Sequence, residues 1–142
     1  VILVRDRIRA TVVPQAGLIW QFKRSETMAN REPIKVLFVC SMNQWRSPTA
    51  EKIYADNPLV SARSAGTNKG ARKSACSGDL VWADLVLLME QKHKQRLLAT
   101  FPSQMKYKPL HVLDIPDDYK YVDPELVEEI TSAVGPLIEN FR

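Results

Sequence analysis

The sequence predicts an α/β protein in three layers, a four-stranded parallel sheet with helices on both faces. Three observations carry this. From residue 34 onward, short β-rich runs alternate with segments of helical period, the pattern of βαβ units. Two of these runs, IKVLFVC and DLVLLME, are apolar almost throughout, as in strands covered on both faces. The chain has 142 residues, of which 45% are hydrophobic, enough for one domain with an ordinary core.

The elements follow in order. IKVLFVC, 34–40, is the first strand. Ser47 is expected to cap a helix with Pro48 in its first position, and Ala50, Ile53 and Tyr54 supply the apolar stripe as far as Asn57-Pro58. LVSARSAG is a second strand ending at Gly66. TNKGARKSACSG reads as a loop and DLVWA as one helical turn. DLVLLME is the third strand, QKHKQRLLATF a helix stopped by Pro102, and KPLHVLDI the fourth strand. The closing helix, 123–141, is capped by Asp123 and begins on Pro124, with Leu126, Ile130, Val134, Leu137 and Ile138 on its buried face and a kink at Gly135-Pro136.

Residues 1–33 read differently. VILVRDRIRATVV is broken by Pro14 and Gly17, and KRSETMANREP has no period. They are expected to be an N-terminal extension, with Met28 a candidate natural start and 34–142 the folded domain. The net charge of +4 follows this division. Of 20 Lys/Arg and 16 Asp/Glu, residues 1–33 hold six and three, which leaves 14 and 13 for the body. A nearly neutral body argues against a nucleic-acid-binding domain. No apolar run approaches the length of a membrane helix, and no signal-peptide pattern opens the chain. Cys40 and Cys76 are too few for a disulfide framework and have no metal-ligand spacing, so a reducing, cytoplasmic setting is expected.

The stretch VLFVCSMNQWRSPTAE carries the chemistry. Ligands of open parallel sheets bind beyond the carboxyl ends of the strands, where this loop lies. Its backbone N–H groups can turn inward to cradle an anion, the helix start adds positive potential, and Arg46 adds a fork of donors matched to two phosphate oxygens. Cys40 at the base of such a cradle is favoured as a thiolate, a nucleophile aimed at a bound phosphorus. Ser47 can donate to its sulfur and ease its later departure. Five intervening residues suffice to wrap one tetrahedral anion. Expulsion of the leaving oxygen needs a proton donor. Asp114, Asp117, Asp118 and Asp123 are all near, and residue chemistry alone does not choose among them.

These motifs resemble the low-molecular-weight protein tyrosine phosphatases. LFVCSMNQWRSPTAE looks like that family's signature, SAGT at 64–67 matches the end of its second strand, and IPDDYKYVDPELVEEI aligns with its acid loop and final helix. The resemblance covers about residues 34–142. It implies the phosphotyrosine protein phosphatase I-like fold, strand order 2-1-3-4. It further implies Cys40 as nucleophile, Arg46 as phosphate clamp, Asp117 as general acid and Tyr119 as the aromatic flanking the substrate. Asn43 would hold the loop through Ser47 and Ser64, and Ser41, Met42, Asn43, Gln44, Trp45 and Arg46 would surround the phosphate.

The chain departs from the family at several positions. Met42 stands where glycine is usual, which predicts a strained or reshaped loop. Trp45 replaces a frequent second cysteine, and Asp118 replaces a proline beside the presumed acid. The region between SAGT and ADLVLLME is short, which suggests that a helix and part of the cleft wall are missing. Lys69, Arg72 and Lys73 are read as a basic rim attracting acidic substrates. His93 and His111 are read as structural or surface residues, and Cys76 as an incidental thiol.

The expectation is a cysteine-dependent phosphomonoesterase acting through a phosphocysteine, requiring no metal and no cofactor, with a phosphorylated protein or small aryl phosphate as partner. Two alternatives stand beside it: an arsenate reductase using Cys40 and Cys76, and a non-catalytic module that binds phosphate or a phosphopeptide.

Overall fold

A computed structural model describes residues 32–141. The expected extension over 1–33 lies outside these residues except for Glu32 and Pro33, which are exposed and belong to no helix or strand. The elements are β1 (Ile34–Cys40), α1 (Arg46–Tyr54), β2 (Val60–Gly66), α2 (Ser77–Trp82), β3 (Leu85–Leu88), α3 (Gln91–Thr100), α4 (Pro102–Met105), β4 (Leu110–Val112) and α5 (Pro124–Glu139). The sheet is parallel throughout, in the order β2-β1-β3-β4. This is the expected fold class and strand order.

The two faces of β1 explain why it reads as a continuous apolar run. Val36, Phe38 and Cys40 face one side, where they join Ala50 and Tyr54 of α1 and Leu126, Ile130 and Val134 of α5. Leu37 and Val39 face the other, with Leu80 of α2, Leu97 of α3 and Met105 of α4. Alternate side chains of a strand point to opposite faces, so a strand between two helical layers can spare no polar position. Phe38 is fully buried and stacks at 5.9 Å on Tyr54. Truncating such a ring to alanine costs about 3–5 kcal/mol.

Several boundaries differ from expectation. Ser47 does not cap α1. The helix starts one residue earlier, behind Trp45, and the Ser47 hydroxyl is spent inside the site. Pro48 accordingly sits two residues inside the helix start, in the first turn, where no intrahelical N–H is required of it. The helical turn expected at DLVWA starts two residues earlier, since α2 begins at Ser77, immediately after Cys76. Pro102 stops α3 but opens the short turn α4. At the chain's end the Asp123 carboxylate accepts the Glu125 N–H at 2.9 Å, as expected of a cap, and Pro136 is accommodated within α5. No helix among the described residues is long and apolar enough to cross a membrane.

Candidate active site

The carboxyl end of β1 delivers Cys40 into the loop Ser41–Trp45, and the loop's shape follows from where its carbonyls go. Cys40 O accepts from Thr67 N at 2.9 Å, Ser41 O from Asn68 N at 3.0 Å and Met42 O from Arg72 N at 2.9 Å. Asn43 O accepts from Arg72 Nε at 3.0 Å. The segment after β2 thus draws the carbonyls to one side, which turns the peptide N–H groups to the other. Among the described residues, no backbone carbonyl accepts from the N–H groups of residues 41–46. Those of them that line the mouth are therefore free to donate to an anion.

Asn43 is the keystone of the loop. It is fully buried with φ of 54°, a conformation that asparagine tolerates better than most residues. Its Nδ2 donates to Ser47 Oγ and Ser64 Oγ, both at 2.9 Å. The proton directions can be worked outward from a charge. The Glu51 carboxylate only accepts, so the Ser64 hydroxyl donates to it. Ser64 then accepts from Asn43, as does Ser47, whose own proton has two acceptors within reach, Cys40 Sγ at 3.0 Å and, farther, Ala65 O at 3.5 Å. A continuous chain of hydrogen bonds therefore runs from Glu51 through Ser64, Asn43 and Ser47 to the sulfur. Met42 does not need a glycine's conformation, since its φ is not positive and its side chain is exposed. The expected strain at this position is absent. The glycine that matters is Gly66: a Cβ there would stand 2.5 Å from Ser41 O and 2.6 Å from the Ala71 Cβ.

Arg46 is buried, and its guanidinium is aimed by partners from two other loops. Nη1 donates to Glu90 Oε1 at 2.7 Å and to Ile115 O at 2.9 Å, and Nε lies 3.6 Å from Asp117 Oδ1. Among the described residues Nη2 makes no hydrogen bond, so one edge of the fork stays available. Cys40, Ser41, Met42, Gln44, Trp45, Arg46 and Asp117 line a mouth of about 40 Å³. That volume suits a phosphoryl group and little more.

Of the four aspartates, only Asp117 lines this mouth. Asp123 is spent on the α5 cap, and Asp114 and Asp118 are exposed. Trp45 forms part of the rim, with Lys120 Nζ 5.2 Å from its ring. Tyr119, expected to flank the substrate, is placed elsewhere. Its hydroxyl donates to Glu129 Oε2 at 2.8 Å, its ring packs on the α5 side of the core, and its pKa is raised to about 12 by that bond. Cys76 also stays away from the mouth, its sulfur 3.5 Å from Asp79 Oδ2 at the start of α2. Arg72 and Lys73 are not a free basic rim. Arg72 is bound to the loop, and Lys73 reaches Ser64 O at 3.3 Å and Asp79 at 3.6 Å.

Glu90, which follows β3, was not among the expected site residues, and His93, expected to be structural or at the surface, is structural and lies beside it. Glu90 grips Arg46, and that contact holds its carboxyl below the usual range. His93 is buried, and its Nδ1 accepts from Glu90 N at 3.0 Å. Nε2 therefore carries the proton and donates to Ser41 Oγ at 2.8 Å. Burial, and then the charge of Arg46, push the His93 pKa down to about 4, which keeps this ring neutral. One short segment thus holds both ends of the loop. The available signal was position: the carboxyl end of a strand adjoining β1 lies at the site.

No protein-family model and no curated protein matches the chain. Solved structures do. The YwlE arginine phosphatase of Geobacillus stearothermophilus superposes with a TM-score of 0.63 at 24% identity, covering 75% of this chain and 92% of that one. The tyrosine phosphatase Wzb of Escherichia coli K30, in complex with phosphate, matches at 0.62 and 19% identity, covering 76% and 98%. A low-molecular-weight phosphotyrosine phosphatase of Vibrio cholerae matches at 0.55 and 23%, covering 75% and 97%. The described part of the chain therefore has the fold of the low-molecular-weight protein tyrosine phosphatases.

Proposed function

We propose that the protein is a cysteine-dependent phosphomonoesterase of the tyrosine phosphatase type, working through a phosphocysteine. The observation that carries this reading is one small mouth lined by Cys40, Arg46 and Asp117, in a loop whose N–H groups have no backbone acceptor among the described residues. In the first step the Cys40 thiolate attacks phosphorus and the bond to the leaving oxygen breaks. Asp117 gives that oxygen its proton, and the loop N–H groups with Arg46 hold the equatorial oxygens. In the second step water attacks the phosphocysteine, Asp117 takes a proton from it, and the S–P bond breaks with Ser47 donating to the departing sulfur. The structural neighbours act on phosphotyrosine or phosphoarginine according to their descriptions, and a phosphorylated protein or small aryl phosphate is the substrate class proposed here. A free thiol nucleophile suits a reducing, cytoplasmic compartment.

Hydrolysis of p-nitrophenyl phosphate tests the reading. Turnover is expected in the wild type and lost in Cys40→Ser. Unchanged turnover in that variant would sink the mechanism. Saturable phosphate binding with no turnover in the wild type would identify a binding module instead. Arsenate reduction that requires Cys76 would identify a reductase.

A further inference from the structure

The mouth at Cys40 has a neighbour more than ten times its volume. An open cleft of about 480 Å³ adjoins it through Ser41, whose side chain belongs to both. His93 lines the cleft, and its bond to Ser41 Oγ forms part of the partition between the two. Thr67 and Asn68 at the end of β2 line one side; Lys92, Gln95 and Arg96 of α3 line the other. Lys92 and Arg96 are four residues apart, so they share a face of the helix. Among the described residues, no carboxylate lines the cleft. The nearest acid, Glu90, lies 3.7 Å from Lys92 but is engaged by Arg46 at 2.7 Å, and Arg96 has no ion pair among the described residues.

A mouth of about 40 Å³ holds the phosphoryl group, so the rest of a substrate must lie outside it. The side of Asp117 and Asp118 presents two carboxylates against one ammonium, Lys120 over Trp45, and so favours a further anion less. The side of Ser41 presents two cations and neutral hydrogen-bonding groups. We propose that this cleft is a subsite for a second anionic group of the substrate, a carboxylate or a second phosphate carried near the phosphoryl group that reaches Cys40. The preferred substrate is then an acidic phosphopeptide or a bisphosphorylated molecule. This proposal rests on the phosphatase reading above.

The test compares phosphotyrosine peptides whose neighbouring residues are acidic, neutral or basic, with a doubly phosphorylated peptide as a fourth arm, in wild type, Arg96→Ala and Lys92→Ala/Arg96→Ala. For the wild type we expect kcat/KM about tenfold higher for the acidic than the neutral peptide, carried by KM and shrinking with added salt. The double variant should erase this preference and leave p-nitrophenyl phosphate turnover unchanged. Preference for the acidic over the doubly phosphorylated arm, or the reverse, identifies the anion. A wild type indifferent to neighbouring charge, or a preference that survives the double variant, overturns the subsite. The same peptides bound to Cys40→Ser, followed by calorimetry, carry the test without turnover. If acidic peptides bind tighter only when Lys92 and Arg96 are present, the subsite stands even where the hydrolytic reading fails.

Discussion

The loop after β1 and the loop after β4 meet at one mouth but are built in opposite ways. The first is a closed network: Asn43, Arg46 and Ser47 are buried, and four of its carbonyls are bound by the segment after β2. The second, residues 113–123, is mostly exposed and tied at few points. Leu113 N and Ile115 N reach the backbone of β3 and Met89, Ile115 O accepts from Arg46, and Val122 N donates to Thr49 Oγ1 at 2.9 Å. Asp114 and Val122 both hold positive φ. The difference teaches a division of labour. On the proposed mechanism, the groups that hold the phosphoryl charge are buried and cross-linked, whereas Asp117, the proposed proton donor, stays within reach of solvent.

The largest effect is expected where the exposed loop supplies chemistry and no structure. Asp117→Ala should lower kcat by about 10²–10⁴-fold while thermal stability and phosphate affinity stay near wild type. If Asp114→Ala or Asp118→Ala does this instead, the acid is misassigned. Asn43→Ala should behave in the opposite manner, losing both stability and turnover. It strands two buried hydroxyls and loses a residue suited to φ of 54°, at a cost of about 2–4 kcal/mol in urea unfolding. A variant that is inactive but of wild-type stability would blur the comparison.

Glu90→Gln sits between the two loops. It removes the charge that aims Arg46 while keeping a hydrogen-bonding oxygen, so phosphate affinity and kcat/KM should each fall about tenfold. A smaller effect concerns His93 and pH. Its pKa is near 4 in the fold against 6.5 in the unfolded chain, so between these values the unfolded state binds the proton and the folded state does not. The stability is fully present above about pH 6.5 and is lost as pH falls toward 4, by at most about 3 kcal/mol. His93→Gln should flatten that part of the stability–pH curve. An unchanged slope would assign the acid sensitivity to other groups.

Much of this was legible in the residues because the fold depends on few signals. IKVLFVC and DLVLLME could only be strands between two layers, and the cysteine and arginine six positions apart marked the cradle. Asn43, Ser47 and Ser64 were expected together and lie together. The misses have physical reasons. Ser47 looked like a helix cap because its type and place suit one, but its hydroxyl is taken up by Asn43 and the buried Cys40 sulfur, the other role expected of it. Met42 looked strained because glycine is usual there, yet its φ is not positive, so no glycine conformation is asked of it. Glu90 carried no signal of its own, and His93 was expected only to be structural or at the surface. Only the sheet order, which sets β3 beside β1, brings them to the loop. Tyr119 was placed by resemblance, and a carboxylate on α5 holds it elsewhere.

The central claim is that Cys40 itself carries the phosphoryl group. The most direct measurement is acid quenching of Asp117→Ala during turnover of p-nitrophenyl phosphate, followed by peptide mapping by mass spectrometry. Loss of the base that activates water should let the intermediate accumulate, with the phosphoryl group on Cys40. Release of p-nitrophenol while Cys40 stays unmodified, or a phosphoryl group on any other residue, would contradict the account.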